Sequence, residues 1–139
     1  MNGRMRLVVS FFLLLLVSCS ASQYRRVEVR PYVLDDKSIG QFVLVYTNRN
    51  DFQICLSPGM WPNKSGRLDF AGERVEVVVG EERFQIKDFN TGYCPNCAIE
   101  VLPGETIRAF IKYEDFSLPK QYYLENKQLK FYSIAYECG

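Results

Sequence analysis

Cys94-Pro95-Asn96-Cys97 sets two thiols at the spacing of a thiol–disulfide exchange pair. Such a pair is activated when its first thiol caps a helix, because the helix dipole favours the thiolate. Residues 98–104 read instead as a strand and a turn, and no βαβ pattern surrounds the motif. Proline and asparagine suit the centre of a β-turn. A turn brings its outer Cα atoms within ~7 Å, near the ~4.4–6.8 Å a disulfide spans. The spacing therefore points first to a structural disulfide, with redox exchange and metal binding behind it. A zinc site would need Cys55 and Cys138 as its further ligands. The chain has no histidine, which excludes a Ser-His-Asp triad, a Cys-His pair and any imidazole metal site. Asp88-Phe89-Asn90-Thr91-Gly92 has the oxygen spacing of half a calcium loop, but Ile99 stands where the bidentate glutamate belongs. A turn closed by Asp88 or Asn90 is expected there. The acidic neighbours Asp35-Asp36, Glu81-Glu82 and Glu114-Asp115 read as exposed turn charges, since nothing in the sequence brings two of them across a cleft. No catalytic residue, metal or cofactor is assigned.

Five cysteines are an odd set, which in a secreted protein needs an explanation. Arg4 and Arg6 precede an apolar stretch over residues 7–17, and Leu16-Val17-Ser18-Cys19 ends it. A basic start, a short apolar segment and small residues form a secretory leader; a membrane span would need about 20 apolar residues. The tetrad resembles the lipobox of bacterial lipoproteins. That resemblance implies a signal peptide over 1–18, diacylglyceryl on Cys19, and a short lipidated tether over 19–26. Ser20, uncharged, is similar to the outer-membrane sorting pattern of Gram-negative lipoproteins, which implies an envelope protein on the outer membrane facing the periplasm. Cleavage after Ala21 is the competing reading, and it would discard Cys19. Either way Cys55, Cys94, Cys97 and Cys138 remain, and an oxidising envelope should pair them. If Cys94 pairs with Cys97, Cys55 is left for Cys138; the two other connectivities stay open.

Behind the leader, residues 27–139 read as one domain of short strands. Val27-Glu28-Val29 alternates, and Pro31 marks an edge position because proline cannot donate to a ladder. Residues 42–46 are continuously apolar, as in a central strand buried on both faces. Residues 52–55, 75–79, 84–87, 99–101, 106–113 and 129–138 read as the other strands. Turn signals lie at Asn48-Arg49-Asn50-Asp51, Gly80-Glu81-Glu82-Arg83 and Pro103-Gly104. Residues 118–126 have room for one short helical turn, with Pro119 tolerated early in it. Seven or eight strands at this spacing predict an all-β, Ig-like sandwich of antiparallel strands stapled by disulfides; a small β-barrel is the alternative.

The segment 57–66 is the candidate binding loop. It holds the only tryptophan, Trp61, beside Met60, with Asn63 and Lys64 following. Tryptophan is enriched at binding hot spots, and flanking prolines limit the entropy lost on ordering. The competing reading folds Trp61 back as a lid on the sandwich. Asn63-Lys64-Ser65 matches a glycosylation sequon, by chance if the chain is bacterial. Loss of Arg4 and Arg6 with the leader turns the net charge from +1 to −1. No basic excess points to nucleic acid, and Arg25-Arg26 is only a weak headgroup contact. Together these features predict a lipid-anchored, non-enzymatic envelope protein that docks a protein partner, as an assembly factor, inhibitor or immunity protein does. A redox protein using Cys94 and Cys97, and a structural component binding peptidoglycan or lipid, are the alternatives.

Overall fold

The computed structural model describes residues 24–92, 94 and 96–139. Among the described residues ten strands run in chain order: β1 (Arg26–Val29), β2 (Tyr32–Asp36), β3 (Gln41–Thr47), β4 (Ile54–Leu56), β5 (Val75–Val79), β6 (Glu82–Gln85), β7 (Ile99–Val101), β8 (Thr106–Lys112), β9 (Gln128–Phe131) and β10 (Ser133–Glu137). They form three antiparallel sheets, ordered β1-β10-β4-β7, β2-β3-β8 and β6-β5-β9. The sheets do not close into a barrel, so the fold is an all-β sandwich and the barrel alternative falls.

The strand count exceeds the seven or eight expected from sequence for two reasons. Tyr32–Asp36 forms a strand that Pro31 and the Asp35-Asp36 pair concealed. The expected strand over 129–138 also breaks at Tyr132, leaving β9 and β10 in different sheets. Strand β3 corrects a further expectation. Its residues alternate between buried and half-buried, so one face looks into the core and the other is only partly covered. The hairpin between β5 and β6 is tighter than its turn signal, since Val79 already pairs with Glu82 across Gly80-Glu81. Gly80 takes φ 60°, the left-handed conformation that a two-residue hairpin turn demands. The short helical turn expected over 118–126 is a 3-10 turn at Lys120–Tyr122.

One core draws on all three sheets. Val29, Phe42, Leu44, Ile54, Leu56, Val75, Val77, Val101 and Ile111 are fully buried within it. Each such side chain contributes roughly 1.5–3 kcal/mol by leaving water. Phe42 is the aromatic hub, with ring centroids 5.0 Å from Tyr113 and 6.0 Å from Phe116.

Asn48 ties one end of the sandwich together. It is fully buried just past β3. Its Nδ2 donates to the carbonyls of Phe52 and Val101, each at 2.9 Å. Its Oδ1 accepts from the backbone and side chain of Asn50, and its own carbonyl accepts from Gly104 N–H at 2.8 Å. A buried amide satisfied on every side orders the loops around it instead of costing stability. In the same end Val101 pairs with Ile54, Ile54 with Glu137, and Glu137 N–H donates to the Arg25 carbonyl. The described chain thus enters the fold at the Asn48 end. Strand β3 spans about 20 Å between that end and Gly40, at about 3.3 Å per residue.

A second joint links the free side of β6 to the chain leaving β8. Ile86 bridges Phe116, and Lys87 N–H donates to the Asp115 carbonyl at 2.9 Å. The Asp115 side chain is 5% exposed, and its Oδ2 has no hydrogen-bond partner. Burial raises its pKa, with Glu114 adding to the effect while Arg67, Lys112 and Lys87 oppose it. A carboxyl whose folded pKa is raised binds its proton more tightly in the folded state. Stability is therefore highest with Asp115 protonated and falls as pH rises above the unfolded value of about 3.9. Asp115→Asn should stabilise the fold by about 1–2 kcal/mol near pH 7, and the gain should vanish below about pH 4. Thermal melts of both proteins across pH 3–7 check this; a gain that persists unchanged at the acid end contradicts it.

Candidate functional site

The end opposite Asn48 is built from the β2–β3 turn and the segment between β8 and β9. Tyr113 N–H donates to the Gly40 carbonyl at 2.9 Å, which fixes the exit of β8 on that turn. The 120–127 segment is then clasped down by one buried cation. The Lys127 side chain is 0% exposed and ion-pairs with Asp35 at 3.4 Å. Its Nζ donates to the carbonyls of Tyr123 at 2.6 Å and Glu125 at 3.1 Å, and lies 4.4 Å from the Tyr113 ring centroid. The Tyr113 hydroxyl donates to the other Asp35 oxygen. Burial pushes the Tyr113 hydroxyl pKa up, and its bond to Asp35 pushes it further. Burial pulls the Lys127 ammonium down, while Asp35 pulls it back up. The facing charges and carbonyls make this a locked ammonium whose donors are all engaged. Lys37 adds a second tie, with Nζ donating to Asn126 Oδ1 at 3.1 Å.

This locked base carries two exposed apolar tips. Ile39, in the β2–β3 turn, is 64% exposed, and Leu124 is 78% exposed. A hollow of 360 Å³ opens beside Ile39, lined also by Gln41, Lys112, Glu114, Lys120 and Tyr123. Tyr122 anchors the neighbouring loop, donating to Glu82 at 3.0 Å and packing 5.6 Å from the Phe84 ring. The arrangement offers apolar tips and mixed charge on a rigid base. That suits contact with another macromolecule.

The residues singled out from sequence fall elsewhere. Cys19 lies outside the described residues, as do Pro95 and the leader. Cys94 and Cys97 form a disulfide with Cα atoms 5.2 Å apart, and Cys97 N–H closes the turn onto the Cys94 carbonyl at 3.2 Å. The chain then enters β7, so no helix dipole acts on either sulfur. Cys55 and Cys138 form the second disulfide, with Cα atoms 5.1 Å apart. It staples β4 to the end of β10, two strands already paired in one sheet.

Trp61 overturns the hot-spot reading of the 57–66 loop. It is 4% exposed and packs edge-on to Phe131 at 5.8 Å, buried as the competing reading expects. Met60 is half-buried and Lys64 is exposed. Asn63 serves the loop itself, its Oδ1 accepting from the backbone of Ser65 and Arg67. In the half calcium loop, Asn90 Oδ1 accepts from Gly92 N–H at 3.2 Å, the local bond of a turn, while Asp88 accepts from Ala71 N–H at 3.3 Å and ties the segment to the loop before β5. Among the described residues no three Cys, Asp or Glu side chains gather as a metal site. Arg25 pairs with Glu137 at 3.4 Å and covers the Phe52 ring.

Comparison with protein-family models, with curated proteins and with solved structures finds no match to the chain.

Proposed function

We propose that this chain is a lipid-anchored, non-enzymatic binding module of the bacterial envelope, held at the outer membrane through Cys19, which docks a protein partner with the end of the sandwich farthest from its anchor. The observation that carries this reading is the pairing of exposed Ile39 and Leu124 with a base locked by Lys127 and Asp35. Apolar tips on preorganised loops lose little entropy on binding, so their burial goes into affinity. The geometry of attachment supports the same end. Tyr24 packs near Gly139, on the Asn48 side, so a short tether leaves the tips pointing away from the membrane.

Ile39→Asp and Leu124→Asp each place a charge on a tip without touching the core. Native envelope extract passed over the immobilised protein should lose about tenfold of the retained partner for the double variant. Equal retention by the variant, or no partner retained by the unmodified protein, contradicts the reading. Cys19→Ala should move the protein from the membrane to the soluble fraction; if it fractionates unchanged, the anchor is wrong.

A further inference from the structure

Strands β2 and β9 part where a ladder would be expected to continue. In the β1–β10 ladder Arg26 faces Tyr136 and Val29 faces Ser133. Extended in the same register, Val33 falls opposite Leu129 and Asp35 opposite Lys127. Asp35 and Lys127 do meet, through their side chains, at 3.4 Å. Between these two closed points β2 pairs only with β3, and β9 only with β5. Pro31 stands at the opening, with no N–H to carry the ladder on. Along most of their length the β2 and β9 Cα atoms are more than 8 Å apart. One inserted strand requires two ladder spacings, about 9.6 Å. The groove beside them measures 390 Å³; Pro31, Val33, Leu129 and Phe131 give it an apolar wall, and the charged Arg30, Arg74 and Glu76 share its lining.

The edge of β2 also lacks the guards that β1, β7, β6 and β8 carry. Free strand edges are normally blunted by charge, by shortness or by cover. Strand β1 carries Arg26 and Glu28, the latter paired with Arg30 at 3.0 Å. Strand β7 has three residues. Strand β6 accepts from Ser117 N–H at Gln85, with Lys87 just beyond it bonded to Asp115, and on β8 the Phe110 ring is covered by Gly66, where a Cβ would sit 2.6 Å away. On β2, Tyr32 is 67% and Leu34 43% exposed, and no charge precedes Asp35.

We propose that the slot between β2 and β9 takes one extended segment of the protein partner, added as a strand along β2. This deepens the docking reading above and rests on it. Main-chain bonds supply the attachment, and alternate side chains the selectivity. The slot holds about five residues, since a strand of that length spans about 16 Å. Apolar side chains on the segment would face Val33 and Leu129, with the Lys127 clasp closing the far end.

The test is amide hydrogen exchange on the folded protein with a lysine-capped peptide of alternating threonine and valine, against the same peptide N-methylated at alternate residues. The unmethylated peptide at millimolar concentration should slow exchange within residues 32–36 by about tenfold, and the methylated one should not. Equal exchange with both peptides, or full protection of those amides without any peptide, overturns the slot. If Ile39→Asp with Leu124→Asp abolishes partner capture while the peptide protects nothing, docking stands and strand addition falls. If the peptide protects but the tip variant still captures partner, the slot stands and the tips are not the docking surface.

Discussion

Replacing Cys55 and Cys138 together with alanine should lower stability by roughly 4–5 kcal/mol, the largest loss expected from any single site in this fold. The bridge closes a sequence separation of 83 residues, so its absence releases a large loop entropy in the unfolded chain. It also holds the last residues in place. Strand β10 is central, between β1 and β4, and Cys138 N–H donates to the Gln53 carbonyl at 3.0 Å at its very end. Without the bridge that end frays first, and β1 loses its ladder partner with it. Cys94 and Cys97 are a control within the same molecule. Their separation is 3 residues. Removing that bridge should cost no more than about 2 kcal/mol by the same loop argument. Denaturant unfolding of the two double variants compares them. Equal losses would contradict the loop argument, and a larger loss at Cys94–Cys97 would reverse it.

Lys127→Met should cost about 3 kcal/mol and lower the melting temperature by about 10 °C. The substitution keeps the volume of the side chain and removes only its charge and donors. It leaves Asp35 without its cation and strands the carbonyls of Tyr123 and Glu125. Removing one member of a buried pair is costly because the survivor stays desolvated. The companion variant Lys127→Met with Asp35→Leu leaves no charge behind and should recover much of the loss. Tyr113 reports the event directly, since its ring packs 5.0 Å from Phe42 and 5.1 Å from Tyr123. A Lys127→Met protein within about 0.5 kcal/mol of the original would mean an exposed pair of ordinary worth.

These two sites differ in how far the sequence reveals them. Cysteine counting leads to Cys55 and Cys138, because a local pair at Cys94 and Cys97 leaves only one further bond to make. Lys127 gives no such signal. It sits in Glu125-Asn126-Lys127-Gln128, a polar run that reads as solvated, and its burial depends on Asp35 in a strand remote along the chain. Asp35 was concealed in turn by its neighbour Asp36, which made the end of β2 look like a turn. Strand existence was legible wherever alternation met a turn cluster, as at 75–79 and 99–101. Sheet membership was not. Leu129, Phe131, Ser133 and Ala135 are all buried, so the period of two runs unbroken through Tyr132 while the chain changes sheets. Periodicity reports which side faces the core and says nothing about which neighbour lies alongside. Trp61 shows the same limit for loops: its composition fits a hot spot and a lid equally, and only the position of Phe131 decides.

The most direct test of docking by the far end is site-specific photo-crosslinking in intact cells. A photoreactive amino acid replaces Leu124, at the far end and 78% exposed, or Tyr136, toward the Asn48 end and 50% exposed. Docking by the tips requires one discrete protein adduct from position 124 and none from position 136. No adduct from position 124, or the same adduct from both positions, would contradict it.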